Sequence, residues 1–402
     1  VDVRGFRYKL SPTPAQEALF RQFSGVCRLV YNLALEQRST WGRAHKLGYV
    51  RQAADLTLLR AEFDFVRAVY VSCQQQALRD LDQACANFFA GRARYPTPRR
   101  KGVNDAFRFP GREVEAKRLN AKWGAVRLPK IGWVKFRDTR PLGGKVLSAT
   151  VSKDALGWHV SFACEVERAA CEPLTASVGI DRGVAVTLAL STGETFAMPT
   201  TLAALDARHR KAQRILARRK KGSNRRRRQL VRCARLAAKR ARIRRDFHHK
   251  AALSIARRFG TVVVEDLPVR AMTASAKGTV EEPGRMVRQK AGLNRAILNA
   301  GWADFARILA YKLEQRGGQL VSVSAAHTSQ TCSECDVIDK RSRESQAKFA
   351  CVECGHQDNA DINAAKNIRR RNTALLDVEG LRRRPDEAST SGDLHSLEIP
   401  VL

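Results

Sequence analysis

Four of the ten cysteines stand in two close pairs, Cys332-Ser333-Glu334-Cys335 and Cys351-Val352-Glu353-Cys354-Gly355. A CxxC turn brings two sulfurs to one side of the backbone. Two such turns, separated by a basic stretch long enough for a hairpin, supply the four thiolates of a tetrahedral zinc site. Four thiolates close the shell, so this zinc is structural, with no open position for water or substrate. A segment this short has little core of its own, and the metal would supply its folding free energy. A pair of redox dithiols is the other reading of the pattern. Cys27, Cys73, Cys85, Cys164, Cys171 and Cys233 are scattered, as small core residues in a reducing compartment are.

Three separated carboxylates form the second constellation. Asp181 ends the run Ser177-Val178-Gly179-Ile180, Glu265 ends Thr261-Val262-Val263-Val264, and Asp361 opens a helical pattern in Asn359-Ala360-Asp361-Ile362-Asn363-Ala364-Ala365. Strand ends in one sheet lie side by side even when far apart in sequence. Carboxylates gathered there repel one another unless cations sit between them. Two Mg²⁺ ions about 3.5–4 Å apart would neutralise them and clamp the attacking water and leaving oxygen of a phosphodiester. Each acid also has an ordinary reading: Asp181 as a turn residue, Glu265 as a strand end, Asp361 as a helix N-cap.

The charge balance says what such a site would act on. Lys and Arg number 73 against 39 Asp and Glu, a formal net charge of +34. A surface this basic gathers polyanions and binds them with release of counterions. The charge concentrates between Leu205 and Arg245, above all at Lys220, Lys221 and Arg225, Arg226, Arg227 and Arg228, where acidic partners are scarce. Phosphate contact therefore outweighs self-pairing as the reading of this segment. Tyr31, Phe88, Phe89, Tyr95, Phe107 and Phe109 are candidates to stack on bases, although most fit a core better. His248 and His249, adjacent on a helix, point to different faces and make a poor metal pair. No P-loop or dinucleotide fingerprint is present, so nucleotide-driven chemistry is not indicated. No apolar run approaches the roughly 20 residues of a bilayer span, and Val1-Asp2-Val3-Arg4 does not open a signal-peptide pattern. The expectation is a soluble, intracellular protein with no membrane partner.

The elements that must position these groups follow from the hydrophobic period. Phe6 to Leu10 alternates as a short strand, and Ser11-Pro12-Thr13-Pro14 reads as a helix entry. Residues 15 to 89 keep a helical period, and 92 to 100 form a basic, proline-containing linker. From Phe107 to Glu167 the period is two, in short strands parted by Gly, Pro and Asp, which predicts a small antiparallel barrel. The runs ending in Asp181 and Glu265 predict buried strands, and Leu320 to Val323 a third. Leu205 to Arg258 predicts two helices turned at Gly222-Ser223-Asn224. Met272 to Lys290 is weakly patterned and expected to be mobile. Helices are expected near 303–316 and 363–370, with a polar tail from Asp377.

In combination these residues resemble a known family. The order Gly179-Ile180-Asp181-Arg182-Gly183, Val263-Val264-Glu265-Asp266-Leu267, Leu293 to Trp302, Thr328-Ser329-Gln330-Thr331-Cys332, the Cys351/Cys354 turn and Asp361-Ile362-Asn363-Ala364-Ala365-Lys366-Asn367-Ile368 resembles the TnpB proteins of bacterial insertion sequences, relatives of the type V CRISPR nucleases. Tyr8 to Thr13, Arg28 to Asn32 and Ala77 to Leu81 resemble them too, and the likeness reaches nearly the whole chain except the tail.

The resemblance implies a multidomain α+β chain. A wedge-like β-barrel would take residues 1–10 and 107–170, and a helical recognition domain 11–106. A RuvC-like nuclease domain of RNase H fold would take 171–327 and 355–370, interrupted by a zinc ribbon at 328–354, with a disordered tail at 371–402. It implies Asp181, Glu265 and Asp361 as catalytic acids holding two Mg²⁺, and one structural Zn²⁺ on Cys332, Cys335, Cys351 and Cys354. The partners would be a guide RNA from the transposon end and double-stranded target DNA next to a short flanking motif, bound by a monomer with one RNA in the bacterial cytoplasm at the nucleoid. A non-cutting regulator and a strand-joining transposase remain the competing functions.

Overall fold

The computed structural model describes residues 2–45, 47–167, 174–345 and 347–382. Cys171 and residues 383–402 of the expected tail lie outside them. The chain divides into two compact units. One comprises Val1–Ala169 with Ala204–Ala241, the other Ala170–Ala203 with Arg242–Leu402.

The first unit opens with strand β1 (Asp2–Ser11) and helix α1 (Pro14–His45). The predicted helix entry is a reciprocal cap. Thr13 Oγ1 accepts from the Gln16 backbone N–H at 3.3 Å, and Gln16 Oε1 accepts from the Thr13 N–H at 3.1 Å, with Pro14 in the first turn. Helices α2 (Tyr49–Glu62), α3 (Asp64–Ala68) and α4 (Val71–Phe89) follow. Then come β2 (Ala106–Pro110), β3 (Glu115–Arg118), β4 (Trp123–Leu128), β5 (Gly132–Arg137), β6 (Lys145–Asp154) and β7 (Gly157–Val166).

The seven strands form an antiparallel sheet in the order β2-β6-β7-β1-β5-β4-β3. β1 pairs with β7 over Asp2 to Lys9 and with β5 at Leu10 and Ser11, so it joins the two halves. Among the described residues no pairing of β2 with β3 closes the expected barrel. Helices and sheet share one core, in which Phe20 and Phe23 of α1 meet Phe107, Phe109 and Trp158. Two segments expected as separate domains are thus one unit, because the helices cover the apolar face of the sheet.

The basic segment is a helical hairpin of α5 (Thr200–Ala217) and α6 (Asn224–Ala256). The Ser223 hydroxyl accepts from the Arg226 N–H at 3.2 Å and caps α6. Ala212, Cys233 and Leu236 make its small core. α6 belongs to the first unit up to Ala241 and to the second from Arg242.

The second unit is built on β8 (Ser177–Asp181), β9 (Leu188–Leu190), β10 (Thr195–Phe196), β11 (Thr261–Asp266) and β12 (Gln319–Ser324), in the order β10-β9-β8-β11-β12. β8, β11 and β12 are parallel, while β8, β9 and β10 form an antiparallel meander. Helices α7 (Val269–Met272), α8 (Val287–Ala300) and α9 (Trp302–Glu314) connect β11 to β12. A two-stranded hairpin, β13 (Lys348–Ala350) and β14 (Gln357–Asn359), leads into α10 (Ala360–Arg382).

Side chains alternate across a sheet, and the two faces differ here. Val178, Ile180, Val262 and Val264 pack with Ala252 and Ile255 of α6 and Phe305, Leu309 and Leu313 of α9. Val263 and Val323 pack with Ile368 of α10 on the other face. Gly179 lies beneath α10. A Cβ there would stand 2.1 Å from the Ala365 carbonyl oxygen, so only glycine admits this close approach.

Three expectations are corrected. The segment expected to be mobile ends in the start of α8 at Val287. The short helix near 363–370 is the longer α10. The tail expected from 371 is helical as far as Arg382.

Candidate active site and zinc ribbon

Register and alternation together bring the acids to one place. In the parallel pair, Ile180 stands beside Val264. Asp181 and Glu265 are each the next residue, at the carboxyl ends of adjacent strands, where open α/β sheets hold their ligands. Because Ile180 and Val264 face α6 and α9, Asp181 and Glu265 turn to the α10 face. The neighbouring Asp266 is exposed. α10 begins at this same edge. Its cap is Asn359, whose Oδ1 accepts from the N–H groups of Asp361 at 3.0 Å and Ile362 at 3.3 Å. Asp361 is therefore not the N-cap. It sits in the first turn with its carboxylate free for other work, favoured there by the helix dipole.

The other two acids act on Asp181. Burial, and then the charges of Glu265 and Asp361, push the Asp181 carboxyl up to about 7. The Arg182 backbone N–H and the Arg343 guanidinium pull the other way. Burial also raises Asp361, against the opposing pull of Arg343, whose Nη2 lies 3.5 Å from Asp361 Oδ1. Glu265 is 8% exposed and held at both ends. Its backbone carbonyl accepts from the buried Arg182 guanidinium, and its carboxylate accepts from the Thr328 hydroxyl. Burial lowers the Arg182 pKa, while the charges of Glu265, Asp181 and Asp266 sustain the cation. The donors are carboxylate oxygens, the hard ligands that Mg²⁺ prefers, although among the described residues only the four cysteines bring their ligand atoms within 4.8 Å of one another.

The four thiols of the ribbon lie within 4.8 Å of one another and are not joined in disulfides. Cys332 Sγ is 3.7 Å from Cys354 Sγ, and Cys335 Sγ is 3.5 Å from Cys351 Sγ. Both knuckles are backbone-built: Cys332 N–H donates to Val337 O at 3.0 Å and Cys351 N–H to His356 O at 2.8 Å. Gly355 supplies the left-handed residue (φ 71°) that closes the second turn. The backbone N–H groups of Cys354 and Glu353 pull the Cys351 thiol down, whereas at Cys335 and Cys354 the neighbouring thiols and burial outweigh the backbone donors and push the thiols up. Among the described residues, Phe349 and Ala360 are the only other buried apolar side chains packed there, so the ribbon has almost no core. Four converging thiols and so small a core fit one structural zinc.

The basic hairpin is less uniform than its sequence. Lys220, Lys221, Arg225, Arg227 and Arg228 are exposed. Arg226 is not: its Nη1 donates to Leu216 O at 2.8 Å and Arg219 O at 3.2 Å, capping the end of α5. Of the aromatic candidates, Tyr31, Phe107 and Phe109 are buried, whereas Phe88, Phe89 and Tyr95 are exposed. His248 is wholly buried, its Nε2 paired with Ala300 O at 3.0 Å, and His249 lies against Tyr311.

Sequence reasoning did not single out Thr328, Arg182 or Arg343, the side chains that touch the acids. Thr328 lies in the motif Thr328-Ser329-Gln330-Thr331, but nothing in its local pattern points to a partner 63 residues away.

The chain has relatives among known proteins. It is 37% identical over 382 residues to a protein of Escherichia coli (strain K12) named "Putative RNA-guided DNA endonuclease InsQ", covering 93% of each chain. The chain belongs to the TnpB family. A Streptomyces pristinaespiralis protein named "Putative RNA-guided DNA endonuclease" is 34% identical, covering 91% of this chain and 88% of its own. Family models described as "Probable transposase", "Cas12f1-like, TNB domain" and "Helix-turn-helix domain" match residues 161–276, 302–368 and 3–46. In this member the last span holds one strand and one long helix, β1 and α1. Among solved structures, the fold resembles the protein of a Cas12f1–sgRNA–target DNA complex, with a TM-score of 0.55 and 16% identity. The match covers 89% of this chain and 83% of the other. It also resembles the mini-RNA-guided endonuclease CRISPR-Cas_phi3, with a TM-score of 0.50, 10% identity and 92% of each chain covered. No helix among the described residues is long and apolar enough to cross a membrane.

Proposed function

We propose that this TnpB-family chain is an RNA-guided DNA endonuclease that cuts target DNA by metal-assisted phosphodiester hydrolysis at Asp181, Glu265 and Asp361. The observation that carries the reading is the placement of these acids at one sheet edge, where burial and then neighbouring charge push Asp181 up to about 7. A cluster held at such electrostatic cost, on the hard oxygen donors that Mg²⁺ prefers, is a cation site. When bound, two Mg²⁺ ions would supply an activated water and stabilise the leaving oxygen. Asp181, Glu265 and Asp361 hold that site. Asp181 would bind there as the carboxylate. Arg182 and Thr328 fix Glu265, and Arg343 offers a cation beside Asp361 for a phosphate oxygen.

The partners follow from the relatives' names and from charge. A guide RNA would choose the sequence by base pairing, while the protein grips backbone and reads a short flanking motif. Within this reading the second unit is the RuvC-like nuclease interrupted by the ribbon. The helices of the first unit face the guide–target duplex, its sheet serves as the wedge, and one chain takes one RNA. Lys220, Lys221, Arg225, Arg227 and Arg228 are phosphate contacts. The zinc on the four cysteines is structural.

The test is to sequence the RNA that co-purifies with the protein and then supply a plasmid carrying the matching target. A discrete RNA and linearised plasmid are expected. Strand-transfer products would favour a transposase, and binding without scission under any divalent metal would favour a regulator.

A further inference from the structure

The side chain that touches Glu265 comes from the entrance to the zinc ribbon, four residues before the first thiolate. Thr328 is 3% exposed. Its hydroxyl has two acceptors in reach, Glu265 Oε1 and the Ala325 carbonyl at 3.1 Å. It carries one proton, and an ionised carboxylate is the stronger acceptor.

The segment that carries Thr328 is clamped to α10. Asn367 Nδ2 donates to the carbonyls of Thr328 at 3.0 Å and Thr331 at 2.7 Å. Asn363 Nδ2 donates to Thr331 O at 2.8 Å, and Asn363 Oδ1 accepts from the Ser333 N–H at 2.9 Å. Asn363 and Asn367 are both buried. Cys332 lies inside this clamped stretch, with its backbone tied to Val337. One continuous set of hydrogen bonds therefore runs from the first zinc knuckle to the Glu265 carboxylate. It is anchored on the same helix that presents Asp361.

We propose that Thr328 is a positioning residue. Its hydroxyl fixes the Glu265 carboxylate for divalent-cation binding, and the ribbon, folded around Cys332, holds that hydroxyl in place. This rests on reading the three acids as a metal site. A carboxylate with a free rotor presents its oxygens to a cation at an entropic cost, and a fixed donor on one oxygen leaves the other aimed. Loss of such outer partners typically weakens metal binding about 10- to 100-fold. The ribbon thereby contributes to the cation site without lending a ligand to it.

The test uses the full-length, zinc-loaded protein and Mn²⁺ as the probe, with free Mn²⁺ followed by electron paramagnetic resonance. Thr328→Val keeps the shape and removes the donor, Thr328→Ala removes it without the second methyl, and Thr328→Ser restores it. Thr328→Val and Thr328→Ala should bind Mn²⁺ roughly tenfold more weakly, keep about one zinc per chain and keep the parent circular dichroism. Thr328→Ser should bind like the parent. Asn367→Ser should weaken Mn²⁺ binding in the same direction and be non-additive with Thr328→Ala, because both act through one segment. Parent-like Mn²⁺ binding by the Val and Ala variants, with Glu265→Gln impaired, overturns the role of Thr328 and leaves the metal site standing. Parent-like binding by Glu265→Gln and Asp181→Asn overturns the metal site itself, and this proposal with it.

Discussion

Removing the charge of Asp181 should stabilise the metal-free protein while abolishing cleavage. Its carboxyl rises from 3.8 to about 7 on folding, through burial and the charges of Glu265 and Asp361. The native state thus keeps a proton that the unfolded chain has already lost. Unfolding free energy then falls as pH rises from about 4 to about 7 and is level above that. Each pH unit in the window is worth about 1.4 kcal/mol. Between pH 5 and 8 the full effect is about 2.7 kcal/mol, and partial water access reduces it to about 2 kcal/mol. Asp181→Asn lacks the effect, so its advantage over the parent should widen by that amount. For a unit of about two hundred residues this is a rise of about 4–8 °C in its transition. Scanning calorimetry in buffers stripped of divalent cations reads it, with zinc retained. Mg²⁺ at pH 8 should raise the parent's transition and leave that of Asp181→Asn almost unchanged, since only the former has an intact site. A parent-to-variant gap that is the same at pH 5 and pH 8 would show that the three acids do not share a field.

Four further outcomes follow from particular contacts. Cys332→Ser/Cys351→Ser protein should lose about one zinc per chain by elemental analysis, and full retention would remove the ribbon assignment. Replacing Arg225, Arg227 and Arg228 by Glu should weaken RNA binding and flatten its dependence on salt; an unchanged slope would show that these side chains do not meet phosphate. Arg226→Ala should instead cost the hairpin about 1–3 kcal/mol in a denaturant titration, through the lost charged bonds to the Leu216 and Arg219 carbonyls, with a smaller effect on the salt slope than any of its neighbours. Gly179→Ala should destabilise the second unit by several kcal/mol and weaken Mn²⁺ binding, since α10 must move to admit a Cβ that would lie 2.1 Å from Ala365 O. A parent-like transition in that variant would refute the close packing of α10 on β8.

What the sequence disclosed was what is local. The cysteine spacing is a property of two short turns, and the sulfurs meet as the spacing requires. The runs before Asp181 and Glu265 are buried strands because their residues are apolar in succession and leave no polar face. α8 was missed for a physical reason: its N-cap is Met286, in the left-handed region (φ 51°) with no side-chain cap, so the start carries no Ser, Thr, Asp or Asn signal. A run of four arginines looks the same from residue to residue, and only the turn at Ser223 decides that Arg226 points back at α5. The contact of Thr328 with Glu265 depends on the packing of α10 over Gly179, which no local pattern encodes. The strand period in residues 107–167 was legible, whereas closure of the sheet depends on long-range pairing. Asp361 was legible as a helix-opening acid, but its release from capping rested on Asn359 two residues before it.

The most direct measurement is cleavage set beside binding. The protein with its co-purified guide RNA should cut a matching target in Mg²⁺. Asp181→Ala, Glu265→Gln and Asp361→Asn should each bind that target as tightly as the parent and leave it intact. Scission by any of the three at the parental rate would contradict the assignment of the catalytic acids.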